Sequence, residues 1–529
     1  MLFNSTYCSN QLILSAGRIH LYKFYKDLHK VDVVQHKKLK SYLSHNADTI
    51  YGKEFGFSTI NNYEEYIQQV PIIEDWEQVE KYITQIEEGQ QHVLSADAIS
   101  FFEETSGSTG FSKLIPYNRS LKNEFSIALQ VWMVDLSKAK QGAFAGKAYW
   151  SLSPALKSKK VTDGGIPIGL NNDAAYFNSF TAWLLSKVMA IDQKVVQSKQ
   201  QDTFYFETMK QLLLTTDLSL VSVWSPTFFL QLDDYLATNA EALLAAIKKV
   251  NPAREQELKI LLEAKATWKE IWTGLSCLSC WTDAQAAPWI PAVKHRLGNV
   301  FIQPKGLLST EAVISIPLKN TPFPGLAYRS HFFEFRSTED QTIHLAHQLV
   351  KDKNYEVIVT TAGGLYRYAT KDVVQVVGHI KQLPLLKFLG RNNRTSDMVG
   401  EKVSEIQVNE IINRLIEESL LPPCMIFLKA TTLKKTGQYI VYTEQHPGLH
   451  PGYIQELTEK FEGILCTNTY YLQALLTGQL LPMSHKFLPA NFKDELVKYY
   501  NEKRLIKDGD IKLPVLFLHN ELREFDKIL

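Results

Sequence analysis

Apolar positions along the chain change their period three times, and each change marks a different kind of structure. Residues 10–50 carry Leu, Lys and His with few breakers, which predicts helix, and Tyr63–Gln91 continues in that style across an interruption at Val70-Pro71-Ile72. A short strand is predicted next, leading into a Ser/Gly-rich loop. In S-L-K-N-E-F-S-I-A-L-Q-V-W-M-V-D-L, Phe125, Leu129, Trp132 and Leu136 fall on one helical face, with Asn118 or Ser120 as the cap. That stripe reads first as core. Between about 145 and 300 helical segments alternate with short β-like runs. Val221–Ser225 predicts a strand ending in a loop before an amphipathic helix, and Ser279–Asp283 predicts another strand end. From Phe301 onward, β-branched residues alternate between turns through 306–317, Phe332–Phe335, Tyr355–Thr361, 366–378 and 386–394, which predicts an antiparallel sheet or small barrel. A polar break at Gly390-Arg391-Asn392-Asn393 precedes a compact α+β pattern: a helix over Glu405–Glu418, a hairpin from Met425–Leu433 to Tyr439–Glu444, and two helices flanking a strand near Met483–Phe487. The boundary therefore falls at about 390, and no internal repeat is visible.

The loop within F-F-E-E-T-S-G-S-T-G-F-S-K-L-I-P-Y-N gathers Thr105, Ser106, Ser108, Thr109 and Ser112 around Gly107 and Gly110, with Lys113 just beyond. Backbone N–H groups, hydroxyls and one cation are what a polyphosphate needs. The spacing G-x-x-G-x-x-K is not that of a Walker loop, and apolar flanks on both sides predict a strand-to-strand connection rather than strand-to-helix. Taken alone, the composition fits a flexible turn equally well.

At 529 residues the chain exceeds what one core usually serves. A formal net charge of +1 gives no reason to expect nucleic acid or an anionic membrane as partner, and 45% apolar residues is ordinary for a globular protein. Neither a secretory leader nor a spanning helix is expected, so the reading is cytoplasmic. Five scattered cysteines include one C-x-x-C, Cys277 and Cys280, without a second pair to complete a zinc site; buried free thiols are expected. Trp224, Trp281 and Asp283 sit at predicted strand ends, where α/β sheets collect ligands, and with Trp132 and Trp150 they suggest a pocket for an aryl or indole acid; packing is the plain alternative.

Five motifs occur in an order that resembles the adenylate-forming superfamily of acyl-CoA synthetases and luciferase, and within it the Gretchen Hagen (auxin-responsive promoter) family of acyl acid amido synthetases in its bacterial form. They are T-S-G-S-T-G-F-S-K, S-T-E (309–311), Y-R-Y-A-T-K-D (366–372), F-L-G-R-N-N-R-T-S-D-M-V-G-E-K-V-S-E (388–405) and the tail G-D-I-K-L-P. The resemblance implies an α/β fold: a large N-terminal adenylate-forming domain (1–390) of helix-flanked sheets and a small barrel, and a mobile α+β domain (391–529) hinged near 390–393. It implies ATP and Mg²⁺, a small-molecule carboxylic acid, and an amino acid or other amine as acceptor. By the same resemblance Ser106, Gly107, Ser108, Thr109, Gly110 and Lys113 hold the β- and γ-phosphates. Ser309 lies in the nucleotide site, Thr310 lies beside the α-phosphate or the substrate carboxylate, and Glu311 binds the metal, the last two counting with the catalytic residues. Asp372 accepts the ribose hydroxyls, Arg391 reaches ribose or phosphate, and Tyr366 lies near the adenine or is structural. Lys512 is the mobile catalytic lysine, with Lys503 and Lys507 as competitors. The family's arginine in the segment matching 468–480 is missing, which leaves the acceptor less determined than adenylation. Transfer to a thiol (coenzyme A or a carrier protein) and a non-catalytic nucleotide-binding homologue remain the alternatives.

Overall fold

The computed structural model describes residues 5–105, 113–151, 160–169, 186–192, 195, 201–392, 394–422, 424–433, 436–504 and 513–521. The N-terminal helical region resolves into α1 (Ser5–Lys26), α2 (Val31–His45), α3 (Ile50–Glu54), α4 (Tyr63–Gln69) and α5 (Glu77–Glu87). Pro71 ends the helical run because it lacks the N–H a helix needs. The chain beyond it runs extended, and Ile73 donates to the Arg367 carbonyl at 3.0 Å and accepts from Ala369 at 3.0 Å. Val70-Pro71-Ile72 thus lays the N-terminal helices onto the sheet that carries the Tyr-Arg-Tyr strand.

β1 (Ile99–Glu104) and β2 (Leu114–Asn118) pair antiparallel with Glu104 opposite Leu114, so the Ser/Gly loop joins two strands. α6 (Arg119–Ala139) follows, capped by Asn118, whose Oδ1 accepts from Leu121 N at 2.8 Å. The other candidate cap, Ser120, bonds Asp97 instead. β3 (Lys147–Trp150) opens a four-stranded parallel sheet, while β4 (Lys160–Val161) and β5 (Pro167–Ile168) extend the β1–β2 ladder. β6 (Leu218–Ser222), β7 (Cys277–Cys280) and β8 (Phe301–Pro304) complete the parallel sheet in the order β3-β6-β7-β8. β8 corrects the sequence reading, which gave Phe301 to the antiparallel region. A run of four residues is too short for its period to distinguish the two kinds of sheet.

Next come β9 (Ser315–Ile316), β10 (Gly325–Leu326), β11 (Phe332–Ser337), β12 (Ile343–Leu345), β13 (Asn354–Thr360), β14 (Tyr368–Ile380) and β15 (Leu383–Arg391). They form one antiparallel sheet in the order β12-β11-β13-β14-β15-β10-β9. Of the two forms the sequence allowed, an antiparallel sheet or a small barrel, the order among the described strands, which has two ends, is that of the sheet. Beyond β15, the short ladder β16 (Thr395–Ser396) and β17 (Val403–Ser404) leads into the helix Glu405–Glu417, closed by a Ser404/Gln407 capping box. β18 (Ile426–Leu433), β19 (Thr436–Thr443), β20 (Leu480–Phe487) and β21 (Leu516–Phe517) form a separate sheet in the order β20-β19-β18-β21. Val408, Ile412, Leu428, Tyr439, Leu480 and Leu516 give this part its own apolar core. The helix Thr469–Leu476, capped by Asn468, was missed because only eight residues carry its pattern.

Among the described residues no helix is long and apolar enough to cross a membrane. Cys277 and Cys280 are free thiols on one strand that face different cores, and burial pushes both up to about 12. Three residues apart on a strand, they point to opposite faces and cannot chelate together.

Candidate active site

The neck of the Ser/Gly loop is fixed by its last and first residues. Thr105 N donates to the Lys113 carbonyl at 2.9 Å, and Lys113 N donates to Thr105 Oγ1 at 3.1 Å. Ser106, Gly107, Ser108, Thr109 and Gly110 lie outside the described residues. From the neck, Lys113 Nζ reaches the Tyr368 hydroxyl at 2.9 Å, and it sits 5.6 Å from the ring centroids of both Trp76 and Tyr368. Burial lowers the Lys113 pKa against the pull of Glu311, and the nearby Arg391 guanidinium adds to the lowering.

Ser309, Thr310 and Glu311 form a tight turn between β8 and β9. Ser309 N donates to the Ala312 carbonyl at 2.9 Å, and the Ser309 hydroxyl accepts from Ala312 N at 3.3 Å. The Tyr117 hydroxyl of β2 donates to the Thr310 carbonyl at 2.6 Å, tying this turn to the loop's own hairpin. Glu311 is buried, and its charge acts on Lys113, Tyr368 and Arg391.

Asp372 and Arg391 are cross-strand partners on β14 and β15. Arg391 Nε donates to Asp372 Oδ1 at 2.9 Å, and the Asp372 carboxylate holds the guanidinium protonated more firmly than usual. The other carboxylate oxygen, Oδ2, is buried with no hydrogen-bond partner. An orphaned buried carboxylate oxygen is costly unless something completes it. Gly390, one residue before Arg391, has φ +144°, and a Cβ there would stand 3.2 Å from Ile406. Only glycine takes that backbone without strain, so β15 approaches its end through a position that requires it.

Five residues that the sequence singled out in four separate motifs (Lys113, Thr310, Glu311, Asp372 and Arg391) therefore converge. Tyr366 does not. It is fully buried, stacked on Tyr51 at 4.9 Å and edge-on to Phe57, with its hydroxyl donated to the Leu94 carbonyl at 2.8 Å. Of its two readings, near the adenine or structural, these contacts favour the structural one over the nucleotide-binding role. Tyr368, bonded to Lys113, joins the cluster instead. Arg367 between them has φ +50°, which breaks the two-residue alternation that would otherwise give both tyrosines one face. Arg367 itself is structural: buried, it forks onto Glu334 at 2.9–3.1 Å and caps the Val70 carbonyl at 2.8 Å.

Trp132, Trp224 and Trp281 gather at the ends of the parallel strands around a residue the sequence reading did not name, Lys305. Its Nζ lies 4.6 Å from the Trp224 ring centroid and 5.7 Å from that of Trp132. Trp224 and Trp281 pack at 5.7 Å. Asp283 turns away from this group, toward the Phe388 backbone and Lys387 of β15, and burial raises its pKa. Lys512 and its competitor Lys507 lie outside the described residues, and Lys503 falls in the last turn of the helix Phe492–Arg504. The chain just after Lys512 is firmly placed: Val515 N donates to Glu405 Oε1 at 3.0 Å, and Arg394 Nε donates to the Leu516 carbonyl at 2.8 Å.

Comparison with known proteins places this arrangement. The GH3 family N-terminal domain matches residues 20–302 and the GH3 family central domain matches residues 325–391. The indole-3-acetic acid-amido synthetase GH3.4 of Arabidopsis thaliana is 23% identical, over 78% of this chain and 76% of its own length. GH3.6 of the same plant, also named an indole-3-acetic acid-amido synthetase, is 21% identical over 88% and 86%. The solved structure of the GH3.15 acyl acid amido synthetase in complex with 2,4-DB superposes with a TM-score of 0.82 at 19% identity, covering 95% of this chain and 94% of that one. The fold is accordingly that of an acyl acid amido synthetase, and the chain belongs to the GH3 family.

Proposed function

We propose that this protein is an ATP-dependent ligase that adenylates a carboxylic acid and passes the acyl group to an amine, an amino acid being the expected acceptor. The observation that carries this reading is the partly buried cluster in which Lys113, Glu311, Arg391 and Asp372 act on one another while Asp372 Oδ2 is left without a partner. A nucleotide fits it. The free Asp372 oxygen suits a ribose hydroxyl, and Arg391 is held beside it. Lys113 stands at the neck of the loop proposed to cradle the leaving pyrophosphate, whose hydroxyl and backbone donors would come from Ser106–Gly110. Glu311, buried beside Lys113 and Arg391, is the carboxylate proposed to meet Mg²⁺. One carboxylate plus substrate phosphates is the usual way such an ion is held, and it would neutralise phosphate charge when bound.

In the first step a carboxylate oxygen attacks the α-phosphorus, the bond to the bridging oxygen breaks, and pyrophosphate leaves. Lys113 and Arg391 offset the negative charge that builds on phosphate oxygens, and Thr310, whose carbonyl accepts from Tyr117, is proposed to face the α-phosphate or the substrate carboxylate. In the second step the amine nitrogen attacks the acyl carbon, AMP leaves, and the nitrogen loses a proton. Residues 391–529 are proposed as the mobile part, turning about Gly390-Arg391-Asn392-Asn393 between the two steps and delivering Lys512 to the first. The cytoplasm, where ATP and reduced thiols coexist, suits this chemistry. Acid-dependent ATP–pyrophosphate exchange, followed by AMP release that requires an amino acid, tests the reading. AMP release with coenzyme A and not with amines would move the second step to a thiol.

A further inference from the structure

The parallel sheet presents one row of side chains at the carboxyl ends of its strands. Trp150, Ser222, Ser279 and Gln303 are register partners across β3, β6, β7 and β8, so their side chains share one face. Trp132 of α6 covers the row and donates its indole N–H to Gln303 Oε1 at 2.7 Å. Lys305, two residues past Gln303, returns over the same face: its Nζ donates to Ser222 Oγ at 2.7 Å while lying against Trp132 and Trp224. A lysine ammonium has three donors. Among the described residues no carboxylate stands within ion-pairing distance of this one, and its charged-state neighbours are the Cys277 and Cys280 thiols. Two more polar atoms in the same row are buried and unpartnered, Trp150 Nε1 and Ser279 Oγ. Donors that a fold buries and leaves unused call for an acceptor from outside. Open α/β sheets bind their ligands at this edge.

The row is also separate from the phosphate-side cluster. Glu311 and Arg391 are among the charges that act on Lys113, whereas the charges that act on Lys305 are those of Cys277 and Cys280. The chain nevertheless runs from Lys305 to Glu311 in six steps, so one extended small molecule can lie between them. Its walls would be the rings of Trp132, Trp224 and Trp281.

We propose that Lys305, with Ser222, Ser279 and Trp150, forms the far end of the acyl-acid site and selects aryl acids that carry a second acceptor oxygen, a ring hydroxyl or carboxylate, remote from the carboxylate to be adenylated. This rests on the ligase reading. It explains why a cation is set among tryptophans: burial lowers the Lys305 pKa to about 8, and cation–π contact favours the charged form against that lowering without a protein counter-ion that the ligand would have to displace. A hydrogen bond to a charged donor typically contributes about 1.5–3 kcal/mol, which corresponds to roughly 10- to 100-fold in affinity.

The test is tryptophan fluorescence titration without ATP, using the pair phenylacetate and 4-hydroxyphenylacetate and the pair benzoate and terephthalate. The wild type is expected to bind the oxygen-bearing member of at least one pair about 10-fold or more tightly than its partner. Lys305→Met should lose that preference and keep its affinity for the plain acid. Ser279→Ala, which breaks no hydrogen bond within the protein, should weaken the oxygen-bearing acid alone and serves if the lysine variant misfolds. Equal affinities within both pairs, no binding of either pair, or an equal loss for both members in the variants would overturn the proposal. Because binding is read without turnover, a preserved preference with no pyrophosphate exchange would instead sink the ligase reading and leave the subsite standing.

Discussion

Glu124 offers a sharp test of how the N-terminal helices are locked to the sheet that carries β11 and β13. It is buried on α6 and takes four donors. Lys38 Nζ lies at 2.9 Å, the Tyr42 hydroxyl bonds the same oxygen, and His331 Nδ1 and Ala362 N each stand 3.0 Å from the other. These come from α2, from the entry to β11 and from the turn after β13, so one carboxylate joins three parts of the chain. Burial alone would raise its pKa, but Lys38, His331 and Tyr42 overcome it and hold the carboxyl down from 4.5 to about 2. At about 1.4 kcal/mol per unit, that displacement corresponds to roughly 3 kcal/mol of stability. The sign is that of a depressed carboxyl: the contribution is complete above the unfolded value near 4.5 and is lost as pH falls toward 2. Urea unfolding of the wild type and Glu124→Gln at pH 7, 4.5 and 3 is the assay. The variant should lose about 3 kcal/mol at pH 7, and the gap should narrow at pH 3 because the wild-type carboxyl contributes less there. A loss under about 1 kcal/mol at pH 7, or a gap that does not change with pH, would refute the reasoning.

Other expectations follow from single contacts. Arg367→Ala leaves the Glu334 carboxylate buried against Tyr63 with its guanidinium gone, and it should destabilise by about 3–5 kcal/mol in a thermal or urea melt. Cys277 and Cys280 should resist a thiol reagent at pH 8 until denaturant is added, since burial keeps both protonated; prompt labelling of the native protein would contradict the fold around β7. Lys512→Ala should lower pyrophosphate exchange by about 10²–10³-fold with ATP binding little changed, and near-normal exchange would move the role to another lysine.

Much of this was legible in the sequence, and the misses have physical causes. Period and capping residues marked α6, the helix Glu405–Glu417 and the β18–β19 hairpin, because each is long enough to show its pattern. The strand-to-strand setting of the Ser/Gly loop followed from apolar flanks on both sides. Motif order gathered Lys113, Glu311, Asp372 and Arg391 although they are distant in sequence, since each sits in a recognisable local context. What failed depended on backbone detail or on neighbours no local pattern encodes. The left-handed Arg367 turned Tyr366 into the core and left Tyr368 at the site. Four residues of β8 could not declare themselves parallel. Lys305 was overlooked because nothing around Q-P-K-G signals that a lysine there will be enclosed by tryptophans from α6 and from the loops after β6 and β7. Those contacts exist only once three distant strand ends are brought side by side.

The central claim is that the Asp372–Arg391–Glu311–Lys113 cluster adenylates an acid. ATP–pyrophosphate exchange, screened over aryl, indole and aliphatic acids with wild type and Asp372→Ala side by side, tests it most directly. The expected result is exchange that depends on the acid and falls about 10²-fold or more in a variant that still folds. Exchange with no acid tested, or equal exchange in the two proteins, would contradict it.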